Sequence, residues 1–496
     1  MIRRIKQALA FLLCLCLFIA CGVSYGAAAS YSTYTYSYWG EPVSSPAGLE
    51  VEGTYNGRQL GVNKFFEPRE IYISSVGDIY ISDSGNNRIV QFDANWQVKK
   101  IWTGFIDFEG KTTELKEPTG VFVDAHNRLY IADTGNKRVL QCDMHGQIQQ
   151  IYIQPENDIQ FTGIDYLPQR VLVDESGYVY VLCKGIYQGA LVYENSGVFI
   201  GYYGTNYVEA GLASAIQLLW KRLMTEEQRS KTGLVLPEEF TSFTMDDEGF
   251  VYTVTEVSDT SKNQVKRINP LGVDVLEESK RISAEYQGRY GDMELRWHGG
   301  KVLQTRFVDI SYDDAGFINV LDRERGRIFQ YDTEGNLIML GGGSGDQEGT
   351  FKKVTAIDNY GDCIYVLDEQ KANITVFRLT DYGKTVREAT VMYNKGLFTE
   401  SKALWEKVLR LNANCEIAYS GIGKALYEEH QYKEAMDCFK NGYDRSGYNR
   451  AFKEYRMQLM KALLPWIGSI LIILIVVVIV YNRVRHFRAL LRHWKQ

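Results

Sequence analysis

From Pro68 onward the chain alternates apolar and polar positions in short runs. "REIYIS", "DIYISD" and "RIVQFD" follow one another, separated by Gly, Asn and Asp. Period-two alternation bounded by turn formers predicts half-buried antiparallel strands joined by hairpins. The text then repeats: "IYISDSGNNRIVQFD" at Ile79 is matched by "LYIADTGNKRVLQCD" at Leu129, and looser copies bring the count to six. The residue before each first strand is Glu67, Glu117, Leu167, Glu239, Arg306 and Lys353, giving steps of 50, 50, 72, 67 and 47. Four-stranded text at such a period predicts a mainly β fold, a six-bladed β-propeller over residues 51–383, in which each small sheet buries its faces against its neighbours. The sixth copy lacks a fourth strand, so residues 54–60 are expected to supply it and close the ring. The two long steps predict insertions. Leu212, Ile216, Leu219 and Leu223 form an apolar stripe at helical spacing, placing a helix at about 207–232. The second insertion, around residues 276–300, reads as an extended hairpin.

After residue 384 the period becomes helical. Residues 384–460 align with themselves at an offset of 34, pairing Phe398 with Tyr432 and Trp405 with Phe439, which predicts helical hairpin repeats. Residues 463–481 are apolar without a charge; at 1.5 Å per residue they span roughly 28 Å, close to a hydrocarbon core of about 30 Å. One transmembrane helix is predicted there. The basic tail, residues 482–496, carries Arg483, Arg485, Arg488, Arg492 and Lys495 and is expected to stay in the cytoplasm. At the other end, residues 1–29 have a basic start, an apolar run and small residues, the anatomy of a secretory signal cleaved after Ala29, with lipidation of Cys21 as the alternative. Residues 30–50, rich in Tyr, read as an extended strap. The expected protein is a single-pass protein of a cell membrane, bacterial in style, with its amino-terminal ectodomain outside.

The β text resembles the NHL repeat of six-bladed propellers, most closely in the first, second and fifth copies. The turn residues Asp83 and Arg88, Asp133 and Arg138, and Asp322 and Arg327 occupy matching places. Asp is suited to accept backbone N–H groups, while the Gly and Asn between tolerate positive φ. The Arg is expected to bridge to an acid of a neighbouring blade. Because these residues recur blade by blade, their reading is structural. The helical text resembles the tetratricopeptide repeat, with Gly423, Ala435 and Phe439 at signature places and Ser401 departing from the usual Ala.

A net charge of −6 on 496 residues gives no basis for nucleic-acid binding. Five cysteines follow the signal, an odd number without regular spacing, so no disulfide framework is expected. The six His residues do not converge, and no Cys/His pattern suggests zinc. Charged and polar residues gather instead near one propeller mouth, at Glu67, Arg69, Glu117, Gln169, Arg170, Glu239, Arg306 and Lys353. A mixed ring of this kind favours a polar or protein ligand over a bare metal cage. The predicted function is non-catalytic recognition or scaffolding without a cofactor, with a membrane or cell-surface protein of a transport or envelope system as the partner. The alternative, implied by resemblance to the lactonase branch of six-bladed propellers, is a metal-dependent hydrolase in which Glu67, Glu117 and Glu239 hold Ca²⁺ or another divalent ion at the axis.

Overall fold

The computed structural model describes residues 31–156, 161, 165–204, 239–256, 264–276, 279, 282–294, 296–298 and 301–493. The expected signal segment and the expected helix at about 207–232 lie outside these residues. Each sequence copy folds as one antiparallel blade. The first holds strands Pro68–Ile73, Ile79–Asp83, Arg88–Phe92 and Val98–Trp102, paired in that order. The second, third and fifth blades have the same four-stranded order, beginning at Pro118, Pro168 and Phe307; the fourth shows three strands among the described residues, Phe240–Met245, Val251–Thr255 and Val265–Ile268. The second insertion includes a small hairpin, Arg296–His298 with Lys301–Leu303.

Six blades close into a ring because the first strands touch one another all the way round, from Pro68–Ile73 through each neighbour to Val354–Tyr360 and back. The second and third strands of the first and fifth blades are buried along their whole length, and those of the second blade are buried except at Arg138. Closure is non-local: Leu49–Asn56 adds to Asn373–Leu379 as the outer strand of the sixth blade, with Thr54 opposite Thr375. The closing strand thus begins five residues before the predicted segment and ends earlier. Residues 57–60 are turn, not strand, because the Asn56 carboxamide oxygen accepts the Arg58 and Gln59 N–H groups at 3.1 Å each. Residues before it are not a straight strap either. Tyr34–Tyr36 pairs with Pro42–Ser44 in a small hairpin that rests on the fifth blade.

Helices α1 (Asp381–Asn394), α2 (Phe398–Leu411), α3 (Glu416–Glu428) and α4 (Tyr432–Asn441) follow, then α5 (Arg445–His493). Thr380 caps α1 by accepting the Gly383 N–H at 3.1 Å, which starts the helical part before residue 384. Trp405 and Phe439, the pair related by the repeat offset, are both buried, and Gly423 lets the Phe439 ring approach: a Cβ there would lie 2.8 Å from it. One continuous apolar core runs from Leu49, Phe317 and Phe377 of the blades through Tyr382, Val386, Trp405 and Phe439 to Ala451 of α5. The helices are therefore fused to the propeller by packing. Beyond that contact α5 is exposed and long and apolar enough to cross a membrane, with Pro465 inside it.

Candidate functional site

Around the axis, the third residue after each reference position is Glu70, Gly120, Arg170, Ser242, Asp309 and Ala356. Three are charged, and the structure brings those three together. The Arg170 guanidinium meets the Glu70 carboxylate of the first blade, lies 3.7 Å from the Asp309 carboxylate of the fifth and donates to the Thr355 carbonyl of the sixth at 3.3 Å. A side chain from the third blade reaches all three only by crossing the central hole. Asp309 also accepts the Ser242 hydroxyl at 2.5 Å and the Ile357 N–H at 2.7 Å. Gly120 permits this close inner ring, since a Cβ there would sit 2.6 Å from the Gln169 carbonyl oxygen and 3.1 Å from the Arg170 Cα. Burial pulls the Arg170 pKa down, against the attraction of Asp309, and pushes Asp309 up, against the attraction of Arg170. Two residues further along the sixth blade, burial raises Asp358 to about 7 although it accepts the Ile73 N–H at 2.6 Å.

The predicted mouth residues do not form one ring. Arg69 and Lys353 meet at Glu369, at 3.1 and 2.8 Å, with Glu67 3.6 Å from Arg69. Arg306 belongs to a second cluster with Glu256 and Glu324, at 3.5 and 3.6 Å. Glu239 hydrogen-bonds Tyr187, Gln169 offers its carbonyl to Thr119 at 3.1 Å, and Glu117 is exposed. Arg170 has left the mouth for the interior. The alternative metal triad is not assembled: among the described residues no three His, Cys, Asp or Glu groups are placed to hold an ion. Glu67 and Glu117 both sit at left-handed backbone positions (φ 47°) at the entry to their first strands, where the chain turns. The axial carboxylates that sequence reasoning missed were signalled by charge recurring at one offset inside strands.

The turn motif is also corrected. Asp83 accepts the Phe66 N–H at 2.7 Å, and Asp133 accepts that of Lys116 at 2.8 Å, as its recurrence suggested. Arg88 and Arg138, however, pair with the Asp of their own turn, at 2.7 and 2.8 Å, because the hairpin places Arg opposite Asp in register. The link to the next blade is made by hydroxyls: Ser84 donates to the Pro118 carbonyl and Thr134 to that of Pro168. In the fifth blade Arg327 turns to Asp292, at 2.6 Å, where Arg325 and the Tyr34 and Tyr36 hydroxyls also converge. Asp322 keeps only backbone donors among its hydrogen bonds, from Arg306, Glu324 and Arg325. Burial, with Asp292 adding to it, raises Asp322 to about 7.

That shift has a sign. A carboxyl whose folded pKa lies above its unfolded value near 4 stabilises the fold fully below that lower value and loses the contribution as pH rises through about 7. Denaturant titrations should therefore show stability falling between about pH 4 and pH 7. Asp322→Asn, which carries no charge at either pH, should remove part of that slope, on the order of a few kcal/mol. An unchanged slope in the variant would show that Asp322 titrates below this window.

No protein-family model matches the chain, and no curated relative matches it. Solved structures that are similar include virginiamycin B lyase from Staphylococcus aureus, at 12% identity and a TM-score of 0.41, covering 67% of this chain and 100% of that one. Another is a gluconolactonase from Xanthomonas campestris, at 11% and 0.36, covering 68% and 97%. A third is the extracellular domain of a two component system from B. thetaiotaomicron, at 14% and 0.34, covering 64% and 33%.

Proposed function

We propose that this protein is a membrane-anchored, extracytoplasmic recognition module that binds a partner protein through its propeller and performs no chemistry of its own. The observation that carries this reading is the Arg170 side chain, which occupies the axis between Glu70 and Asp309. A substrate at the axis would have to displace a buried, charge-paired guanidinium. The mouth above it keeps the exposed mixed charge that suits a protein surface, with Arg69, Arg306 and Lys353 each more than a third exposed. The shared core carries the position of the propeller into α5, and α5 continues without a break into the apolar stretch. A membrane or cell-surface protein of a transport or envelope system is the partner class proposed.

Orientation rests on the amino-terminal signal text rather than on the flanking charge. Arg445, Arg450, Lys453, Arg456 and Lys461 precede the apolar stretch, and an equal number of Lys and Arg follow it, so the basic tail alone does not choose a side. Photo-crosslinking residues placed at Arg306 and Lys353 in intact membranes test the reading. A discrete adduct from these positions, absent when the same residue replaces the exposed Ile200 of the outer strand Phe199–Tyr203, is expected. Equal labelling from all three positions, or none, would contradict it.

A further inference from the structure

After the third strand of each of the first five blades the chain makes one recurring turn. Its fourth residue is Gly146, Gly197, Gly272 and Gly335 in the second to fifth blades, each at positive φ, between 73° and 98°. In the first blade that place is held by Trp96, at φ 63°. A bulky aromatic in the left-handed region is strained, and strain of this kind persists where surrounding structure holds it and collects at ligand sites. Trp96 stacks on Tyr55 of the closing strand, with ring centroids 4.4 Å apart and planes 23° from parallel. Phe92 and Tyr365 hold its edge, at 5.9 and 6.1 Å.

The two rings line an open groove of about 470 Å³ at the seam where the ring closes, within the roughly 300–1,000 Å³ of small-ligand sites. The rest of the lining is neutral: Thr54, Leu60 and Gly61, with the carboxamides of Gln59, Asn95 and Gln97. Those three carboxamide residues are exposed. Gln59 spends its oxygen on the Asn56 N–H at 3.0 Å, leaving its amide N–H groups toward solvent. No Lys, Arg, Asp or Glu lines the groove. An aromatic surface offers its negative face to polarised C–H groups, and each carboxamide pairs a donor with an acceptor as a hydroxyl-bearing ring requires. We propose that this groove binds a neutral saccharide, one pyranose face lying on the outward ring face of the stacked Trp96–Tyr55 pair and its hydroxyls meeting Asn95, Gln97 and Gln59. This site shares no residue with the mouth clusters and goes beyond the recognition reading, which does not depend on it.

The test uses full-length protein in lipid nanodiscs, since glycoside detergents would compete. A glycan array of neutral hexose and N-acetylhexosamine oligosaccharides, with anionic oligosaccharides alongside, would be followed by calorimetry with the best binder. Saturable binding to neutral glycans is expected. Trp96→Gly restores the residue of the four equivalent turns and should weaken binding at least tenfold, and Asn95→Ala with Gln97→Ala, on the exposed rim, should do the same. Absence of binding, preference for anionic glycans, or affinity unmoved in the rim variant would overturn the proposal.

Discussion

Arg170→Leu should lower the stability of the fold by about 3–5 kcal/mol, because it leaves two buried carboxylates without their cation. Side chains of Glu70 and Asp309 are 12% and 4% exposed, and Arg170 is the charge they share across the axis. For a domain of this size the loss corresponds to a fall of roughly 5–10 °C in the unfolding midpoint, read by circular dichroism on the full chain in nanodiscs. The cost belongs to the orphaned charges more than to the lost pair. A triple variant, Arg170→Met with Glu70→Gln and Asp309→Asn, should therefore recover most of the midpoint, since uncharged carboxamides then replace the carboxylates and Ser242 and the Ile357 N–H can still donate to residue 309. If Arg170→Leu left the midpoint unchanged, the axis would be open to water and the guanidinium dispensable.

The second large effect is expected where the helices join the propeller. Arg387 of α1 pairs with Asp313 of the fifth blade at 2.8 Å, both side chains nearly buried, and its guanidinium lies 4.4 Å from the centre of the Phe317 ring. Asp313 also accepts the Ala315 and Phe317 N–H groups, so its position is set by its own turn. Burial raises its pKa, and Arg387 is the largest opposing influence. Arg387→Ala removes a cation and a ring contact together, at a cost of about 3–5 kcal/mol. Hydrogen exchange should quicken across residues 381–441 while the second and third blades keep their protection. Uniform loss across all blades would mean that the pair supports the ring itself rather than the junction.

Much of the architecture was legible because blades are repeats: strands that bury the same faces against similar neighbours use similar text. The Trp405 and Phe439 pairing was legible for the same reason. What escaped were contacts that occur once. Arg170 looked like a member of the mouth because it stands near the repeated start of its blade, as the other mouth residues do, whereas its partners lie 100 and 139 positions away. The redirection of Arg327 depends on Asp292, in an inserted segment with no counterpart in other blades, and on Tyr34 at the far end of the chain. The closing strand was placed late because "NGRQLG" was counted as strand, although Asn-Gly is turn text. Trp96 was legible in principle, as the departure from Gly at one repeated position.

The central claim is that the axis is closed and the molecule recognises rather than reacts. Calorimetric titration of the full-length protein with Ca²⁺, Mg²⁺ and Zn²⁺, with lactone hydrolysis followed on the same sample, tests it most directly. The account predicts no stoichiometric metal binding and no turnover above buffer. One equivalent of metal, lost together with lactone turnover when Glu67, Glu117 and Glu239 are changed to Gln, would contradict it.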